Sequence, residues 1–330
     1  MNNLDVLIKR TNLNISFDEF LKDIEGKFTS IGKIGNYSPI NEGYEDANII
    51  LNTSTGKYVL KIFLAERELG NINSYVKILT ECKKVGVPTT EILLDFNNGL
   101  GVFENEGIKT YYIITKFFEG NNFQNTTPTI EDIRKVTECV AKLNTLNFEV
   151  GEGYDSWGIK AFPEEYKNKK EKLTPEQDSL IKDIYEEYLK LDMTSFSKSV
   201  IHGDMQRKHV IKNSNNEYCI LDFGCMAYDY KVIELATYLA WFCIQKDTWK
   251  DKDLIYKEVL DIYNSIHHLS EQEILSLPLL IKVSCSAYYV TTSVMINEGD
   301  TSEETLDWHN RSKKLLELSK ISISNLSTLG

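Results

Sequence analysis

Three charged residues next to apolar stretches carry the chemistry that this sequence suggests. Lys61 interrupts an apolar run, Asp204 lies in the segment I-H-G-D-M-Q-R-K-H-V, and Asp222 lies 18 positions later in the segment I-L-D-F-G. A lysine that binds nucleotide phosphates, an aspartate that receives the proton of an acceptor hydroxyl and a second aspartate that binds Mg²⁺ are the minimal set for phosphoryl transfer. This set is the first candidate for the chemistry of the chain.

Strands, loops and helices must position these residues, and the hydrophobic periodicity predicts them in a definite order. The predicted strands are two runs within 33–53, then 57–63, 91–96 and 111–118. The predicted helices cover 17–27, a segment ending at Val85, a segment starting at Thr129, 163–191 and most of 232–323. A polar break at 119–122 separates the two patterns. We therefore expect an α+β protein with a β-rich lobe over 1–118 and a helical lobe over 119–330.

Lys61 and the loop that precedes its hairpin form a candidate phosphate site. Buried in a strand, the lysine would need an anion or a carboxylate as partner. Taken alone, it could equally protect an edge strand from aggregation. Gly43 lets the backbone approach a phosphate, and Asn48 could donate to a phosphate oxygen. An ordinary hairpin loop explains Gly43 and Asn48 equally well.

The loop that contains Asp204 is the stronger signal, because apolar residues lead into it and out of it. An aspartate there needs orientation more than basicity if it is to assist a loose phosphoryl-transfer transition state. His202 is suited to hydrogen-bonding the nearby backbone, which is a structural role. Asp222 is a hard oxygen ligand suited to Mg²⁺, and His209 stands where a second ligand is expected.

The composition excludes several classes of protein. The formal net charge is −12, which disfavours nucleic acid as a partner. Two apolar stretches, 232–244 and 276–296, contain charged residues or Pro278 and fit buried core helices better than membrane spans. The six cysteines form no C-x-x-C pair, and the N-terminus has no apolar signal segment. We expect a cytoplasmic protein that binds neither membrane nor nucleic acid.

Three blocks carry a resemblance to a known family: His202-Gly-Asp204, Leu221-Asp222-Phe-Gly224 and Glu234-Leu-Ala236. Together with the segment from Gly43 to Lys61, they resemble the phosphotransferase enzyme family of aminoglycoside phosphotransferases, choline and ethanolamine kinases and type II homoserine kinases. The similar stretch runs from about Ile34 to about Leu239, and the blocks occur in the family's order and spacing.

The resemblance implies a bilobal fold like that of protein kinases, with ATP or GTP and Mg²⁺ as cofactors. It implies that Lys61 binds the α- and β-phosphates, that Asp204 is the catalytic base and that Asp222 binds the metal. It also implies that Glu234 braces the catalytic loop from a helix. The backbone of three consecutive residues would meet the adenine: Lys116, Phe117 and Phe118.

Two departures from the family pattern bear on the site. His209 occupies a position that usually holds asparagine, although histidine occurs there in some branches. The helix carboxylate that pairs with the strand lysine aligns with Tyr75, so the Lys–Glu pair stays open, with Glu68 and Glu81 as alternatives for it.

The acceptor is the least determined feature. A small hydroxyl compound is expected, such as an aminoglycoside, choline, ethanolamine or homoserine, bound by a monomer or homodimer. An acidic run over 298–307 would suit a cationic acceptor, or would simply begin a helix. Aromatic residues could surround a quaternary ammonium group, although core packing explains them equally well: Trp241, Tyr288, Tyr289 and Trp308.

Two alternatives stay open. A pseudokinase with a binding or structural role is suggested by His209 and Tyr75. A protein kinase is disfavoured, because nine residues between Gly224 and Glu234 leave no room for an activation segment.

Overall fold

The structure is a computed structural model that describes Leu4 and residues 8–40, 46–151, 153 and 155–322 of the chain. The chain forms two compact units. The first comprises Met1–Asn121, Glu149–Glu152 and Asn213–Leu221, and the second comprises Asn122–Phe148, Gly153–Lys212 and Asp222–Gly330. The lobes 1–118 and 119–330 stay a prediction, because a domain is defined by its ability to fold alone and compactness does not test that.

The first unit is built on an antiparallel five-stranded sheet with the strand order β1-β2-β3-β5-β4. Its strands are β1 (Ile34–Ile40), β2 (Ala47–Thr53), β3 (Lys57–Ile62), β4 (Gly101–Asn105) and β5 (Ile108–Lys116), and its helices are α1 (Phe17–Lys27) and α2 (Leu69–Lys84). The central strand β3 pairs with both β2 and β5. Lys61 therefore lies on a central strand, which removes the edge-protection explanation.

The helix α1 covers one face of this sheet because its apolar residues recur on one side. Ser16 caps the helix by accepting a hydrogen bond from the Glu19 amide. Phe20 and Ile24 are fully buried, and the Phe20 ring meets Tyr112 of β5 edge-on at 5.1 Å between centroids. Apolar burial of this kind is the main stabilising contribution to the sheet.

One predicted strand is wrong and one strand was missed. Residues 91–96 form an isolated bridge between Ile92 and Thr115 and no strand. The chain instead returns to the sheet at β4, which forms a hairpin with β5. Glu106 and Gly107 both adopt positive φ in that hairpin, the requirement of a tight two-residue turn. The apolar run over 91–96 matched a strand in composition, but composition does not fix which segment pairs.

The second unit is mainly helical, as expected. Its helices are α3 (Ile130–Leu143), α4 (Phe162–Lys169), α5 (Pro175–Tyr188), α6 (Lys231–Tyr238), α7 (Lys252–Ile266), α8 (Glu271–Asn297) and α9 (Glu303–Ser322). Thr129 and Asp132 form a reciprocal capping box at the start of α3, as the sequence predicts. Its strands are short: β7 (Lys198–Ile201), β8 (Val210–Lys212) and β10 (Ala227–Tyr230). The short strand β6 (Asn121–Asn122) contains the boundary in sequence between the units, and β9 (Tyr218–Ile220) belongs to the first unit. The predicted α+β class, with an antiparallel N-terminal sheet and a helical C-terminal part, is confirmed.

The long helix α8 is the core of the second unit. Among the described residues it is the one helix long and apolar enough to cross a membrane, yet 67% of its most apolar stretch is buried inside the protein. It packs against α4, α5, α6 and α9. Burial by other helices is typical of a core helix, as expected from its Pro278 and Lys282.

Candidate active site

The loop between β7 and β8 holds Asp204 in a fixed backbone conformation. Gly203 has a φ of 82°, and a Cβ there would lie 2.3 Å from the carbonyl oxygen of Cys225, so only glycine fits. His202 is fully buried, its ring centroid lies 4.7 Å from that of Phe223, and its Nδ1 accepts a hydrogen bond from the Asp204 amide at 3.2 Å. His202 therefore shapes the turn that presents Asp204.

The Asp204 carboxylate is oriented by two neutral donors on one of its oxygens. Gln206 Nε2 donates to Oδ1 at 2.6 Å, and the Tyr288 hydroxyl donates to the same oxygen at 3.2 Å. The side chain is 17% exposed. Both donors occupy Oδ1, while Oδ2 lies 3.4 Å from His209 Nδ1. Sequence reasoning missed Gln206 as an orienting residue and gave Tyr288 no contact with Asp204.

Glu234 lies on α6 beneath this loop, and its Oε2 accepts a hydrogen bond from the Gly203 amide at 2.9 Å. The side chain is fully buried. Burial raises the pKa of Glu234, while His202 and the backbone amides act in the opposite direction. The carboxyl group thus links the helix to the turn on which Asp204 depends.

His209 lies between the two aspartates. Its Nδ1 is 2.9 Å from the Asp204 carbonyl oxygen and 3.4 Å from Asp204 Oδ2, while its Nε2 is 3.6 Å from Asp222 Oδ2. A carbonyl can only accept, so Nδ1 carries the hydrogen. In the neutral ring, Nε2 then presents a lone pair towards the Asp222 carboxylate, and the two groups offer a pair of ligands to one cation.

Asp222 follows β9 in a left-handed conformation, with φ 58° and ψ 73°. Asp and Asn are the residues, after Gly, that adopt this conformation most readily. Its side chain is 46% exposed. Among the described residues no three His, Cys, Asp or Glu side chains cluster as a metal site.

Lys61, in the first unit, pairs with a carboxylate that the sequence did not predict. Its Nζ lies 3.0 Å from Asp46 Oδ2. Glu68 is exposed and Glu81 pairs with Lys84 at 2.7 Å, so the expected substitution by Glu68 or Glu81 is wrong. Spacing along the helix could not reveal Asp46, because it comes from the connection before β2.

The other predicted nucleotide-binding residues are placed as follows. Gly43 lies outside the described residues. Asn48 is the second residue of β2 and lies opposite Lys61 in the strand register, and its Nδ2 is 3.4 Å from the Asp46 carbonyl oxygen. The Lys116 amide donates a hydrogen bond to the Glu91 carbonyl oxygen at 2.8 Å, so it already has an acceptor within the first unit.

One of the three amides expected to meet the adenine is available. The Phe117 amide donates to Lys57 O at 3.1 Å. For Phe118, no hydrogen bond of its amide occurs within the described part of the chain. Of the three predicted adenine contacts, the Phe118 amide is the one that can donate without breaking a bond.

The four aromatic residues considered for a cation cage fall into two groups, two core residues and one packed pair. Trp241 is 1% exposed and donates its indole N–H to Ser284, and Tyr289 stacks on His309, so both serve core packing. Tyr288 packs against Trp308 with ring centroids 5.3 Å apart. The Trp308 ring is already contacted by two cations, Lys208 at 5.4 Å and Arg311 at 5.7 Å. The quaternary ammonium cage therefore has no support in this arrangement.

The acidic run is likewise explained by local structure. Glu298 pairs with Lys172 at 2.6 Å, and Asp300 accepts from the Ser302 amide at the start of α9. Backbone and hydroxyl donors there lower the pKa of Asp300. The helix-start interpretation is sufficient for these acids.

Comparisons with known proteins show which family the chain resembles. The model of the phosphotransferase enzyme family matches residues 36–263. The homoserine kinase of Sinorhizobium fredii is 22% identical over 273 residues, covering 79% of each chain. The structure of an amicoumacin kinase in complex with AMP-PNP and Ca²⁺ aligns with a TM-score of 0.68 at 12% identity, over 96% of this chain and 98% of that one. The structure of a microcompartment-associated aminopropanol kinase aligns with a TM-score of 0.62 at 12% identity, over 93% and 98%.

The family match covers well over half of the chain, and the catalytic loop, the Asp222 turn and the buried lysine all lie inside it. The expected family resemblance is confirmed. The chain belongs to the phosphotransferase enzyme family, as a small-molecule kinase with an alcohol group as acceptor.

Proposed function

We propose that this kinase transfers the γ-phosphoryl group of ATP to the hydroxyl of a small amino alcohol or hydroxy amino acid, with homoserine as the first candidate. The observation that carries the reaction type is the Asp204 carboxylate, which Gln206 and Tyr288 hold through Oδ1. The relatives named homoserine kinase, which cover about four fifths of both chains, support the acceptor.

Asp204 acts on the acceptor. Its Oδ2 accepts the hydrogen bond of the attacking hydroxyl and takes its proton as the acceptor oxygen bonds to the γ-phosphorus. The bond from the γ-phosphorus to the β–γ bridging oxygen breaks in the same step, and ADP leaves. His202, Gly203 and Glu234 keep the turn in place, so the carboxylate does not have to reorient during the reaction. General base assistance of this kind contributes roughly 10²–10⁴-fold to the rate of a reaction.

The residues fit a divalent cation next to nucleotide phosphates. Mg²⁺ prefers oxygen ligands and is usually held by one or two carboxylates together with phosphates and water. Asp222 supplies an exposed carboxylate, and His209 Nε2 faces the same space. When bound, the cation would neutralise charge on the transferred phosphoryl group. The role of His209 is to brace the Asp204 carbonyl, with weak help to the metal.

Lys61 would bind the α- and β-phosphates, and the Phe118 amide would meet the nucleobase. Nothing at Phe118 selects adenine over guanine, so GTP is tested beside ATP. We place the enzyme in the cytoplasm, where nucleotide and amino alcohols are available, acting as a monomer or homodimer without nucleic acid or membrane.

A substrate panel tests this function. The purified protein is incubated with Mg²⁺ and ATP or GTP, and with homoserine, ethanolamine, choline, aminopropanol or an aminoglycoside, and nucleoside diphosphate release is followed. We expect release that depends on one class of acceptor and is absent with Asp204→Ala. Nucleotide binding without turnover on any acceptor would favour the pseudokinase instead.

A further inference from the structure

The environment of Lys61 shows how this chain holds a buried charge. The lysine is 8% exposed on the central strand β3, and the Asp46 side chain is 1% exposed. A buried ammonium group is costly unless a partner charge and hydrogen bonds compensate it. Asp46 Oδ2, at 3.0 Å, provides both.

The second oxygen of Asp46 is fixed independently. Its Oδ1 accepts from the Leu64 amide at 3.0 Å and from Arg67 Nε at 3.2 Å. Arg67 is held in turn by Asn71, which accepts from its Nη1 at 2.7 Å. With Oδ1 anchored by a backbone amide and a guanidinium, the carboxylate cannot rotate freely, and Oδ2 stays directed at Lys61.

The helix α2 offers Lys61 an aromatic face. Tyr75 occupies the position that the sequence assigns to the pairing carboxylate, and its ring centroid lies 5.2 Å from Lys61 Nζ. The ring is fixed by an edge-on contact with Phe63 at 5.5 Å. A neutral ring attracts the cation, but it cannot replace a charge-assisted hydrogen bond to a carboxylate.

We propose that Asp46 is the positioning residue of Lys61, and that it holds the lysine ready for nucleotide phosphates from the connection before β2. In protein kinases a glutamate on the helix after the lysine strand has this task. In this chain the carboxylate of Asp46 precedes the lysine strand instead of following it. The same carboxylate also accepts a hydrogen bond from Arg67. The inference rests on the proposed function, because it assigns Lys61 to phosphate binding.

Calorimetric titration with ADP and competition by adenosine test the proposal in Asp46→Asn. Asparagine is isosteric and keeps an acceptor for the Leu64 amide, so the change removes mainly the charge. We expect ADP affinity to fall about ten-fold or more, the usual effect of losing a hydrogen bond to a charged group. Adenosine should bind as to the wild type, because it has no phosphate. An ADP affinity within two-fold of the wild type, or an equal loss for adenosine, would overturn the proposal.

A double-mutant cycle with Lys61→Met shows whether Asp46 acts through the lysine. In the Lys61→Met background, Asp46→Asn should cause no further loss of ADP affinity. The same loss in both backgrounds would contradict the proposal. If Asp46→Asn does not fold, Asp46→Glu replaces it in the cycle. Asp46→Glu keeps the charge, so we expect a smaller loss of ADP affinity. That loss must also disappear in the Lys61→Met background.

The matched control is Glu25→Gln in the same unit. Glu25 also accepts from a strand amide, Ile34 N at 2.7 Å, and from a lysine, Lys33 Nζ at 3.1 Å. Lys33 is largely exposed, so nucleotide binding should not change. A wild-type protein that binds no nucleotide would refute the proposed function, whereas normal ADP binding by Asp46→Asn would refute only the role of Asp46.

Discussion

Asp204 is held both by its neighbours in the β7–β8 loop and by groups far away in the sequence. Asp204 is oriented by Tyr288, a residue of α8, and its turn is tied to Glu234 of α6. Donors on Oδ1 fix the direction of Oδ2, which is the property a catalytic base needs most when the transition state is loose. The side chains of Asp204, Asp222 and His209 each support one prediction.

Asp204→Ala should lower kcat by about 10²–10⁴-fold, the contribution typical of a general base, while nucleotide Kd stays within a few-fold. Steady-state kinetics and calorimetry measure the two effects separately. Asp192→Ala is the control, because Asp192 is an exposed residue that only receives hydrogen bonds from Thr194. Near-normal turnover of Asp204→Ala would contradict the assignment of the base.

Asp222→Asn should abolish the Mg²⁺ dependence of nucleotide binding. Asparagine tolerates the left-handed backbone at this position, so the turn should persist while the charged ligand is lost. Calorimetry with and without Mg²⁺ checks this, with the metal-free titration as the internal reference. Unchanged Mg²⁺-dependent affinity would count against Asp222 as the metal ligand.

His209→Asn should preserve turnover or raise it. The asparagine amide can donate to the Asp204 carbonyl as Nδ1 does, and its oxygen is a harder ligand for Mg²⁺ than a ring nitrogen. Steady-state kinetics at several Mg²⁺ concentrations would show the effect as a lower metal requirement. A folded variant that binds nucleotide without any turnover would show that the imidazole itself is needed.

At the scale of elements, the β7–β8 loop depends on close backbone contact with the segment after β9. Gly203 meets the Cys225 carbonyl oxygen where a side chain would clash. Glu234 reaches the same turn from the helix α6, fully buried. From the first contact we expect a substitution at Gly203 to disturb the loop, and from the second we expect the stability of the protein to depend on pH.

Gly203→Ala should destabilise the protein by about 1–3 kcal/mol and lower kcat, because alanine neither fits the space nor favours the positive φ. Chemical denaturation and kinetics measure the two effects. The control Gly26→Ala lies in α1 with nothing within 4 Å of the new Cβ, and should stabilise by about 0.5–1 kcal/mol. Equal effects of the two changes would refute the steric argument.

The stability of Glu234→Gln relative to the wild type should increase as the pH rises. Burial raises the pKa of Glu234, so its contribution to stability is present below the pKa of the unfolded chain and is lost as the pH rises through the folded pKa. Glutamine has no charge to bury. Melting temperatures of both proteins from acid to neutral pH should therefore diverge in favour of Glu234→Gln. A difference that is constant with pH would contradict this assignment.

At the scale of the whole molecule, binding should be visible as stabilisation. A ligand that binds only the folded state adds about 2.7 kcal/mol when its concentration is 100 times its Kd. We expect ATP to raise the melting temperature with Mg²⁺ present and to raise it less after chelation. No shift with ATP or GTP under any condition would exclude a nucleotide-binding protein of either kind, kinase or pseudokinase.

The sequence by itself determined the order of the chemical groups and most of the helices. The reason is that caps and apolar periodicity are local: Thr129, for example, forms its capping box with Asp132, three positions away. The same local signals failed at 91–96, where an apolar run was predicted to be a strand but the hairpin at Glu106 and Gly107 decided the pairing.

The tertiary structure alone decided which partners each reactive group has. Lys61 contacts Asp46 because β2 and β3 lie side by side. The family resemblance had instead placed the partner of Lys61 on the helix α2. Asp204 meets Tyr288 although 84 positions separate them. Such contacts depend on how strands and helices pack, and a single sequence carries no local signal for them.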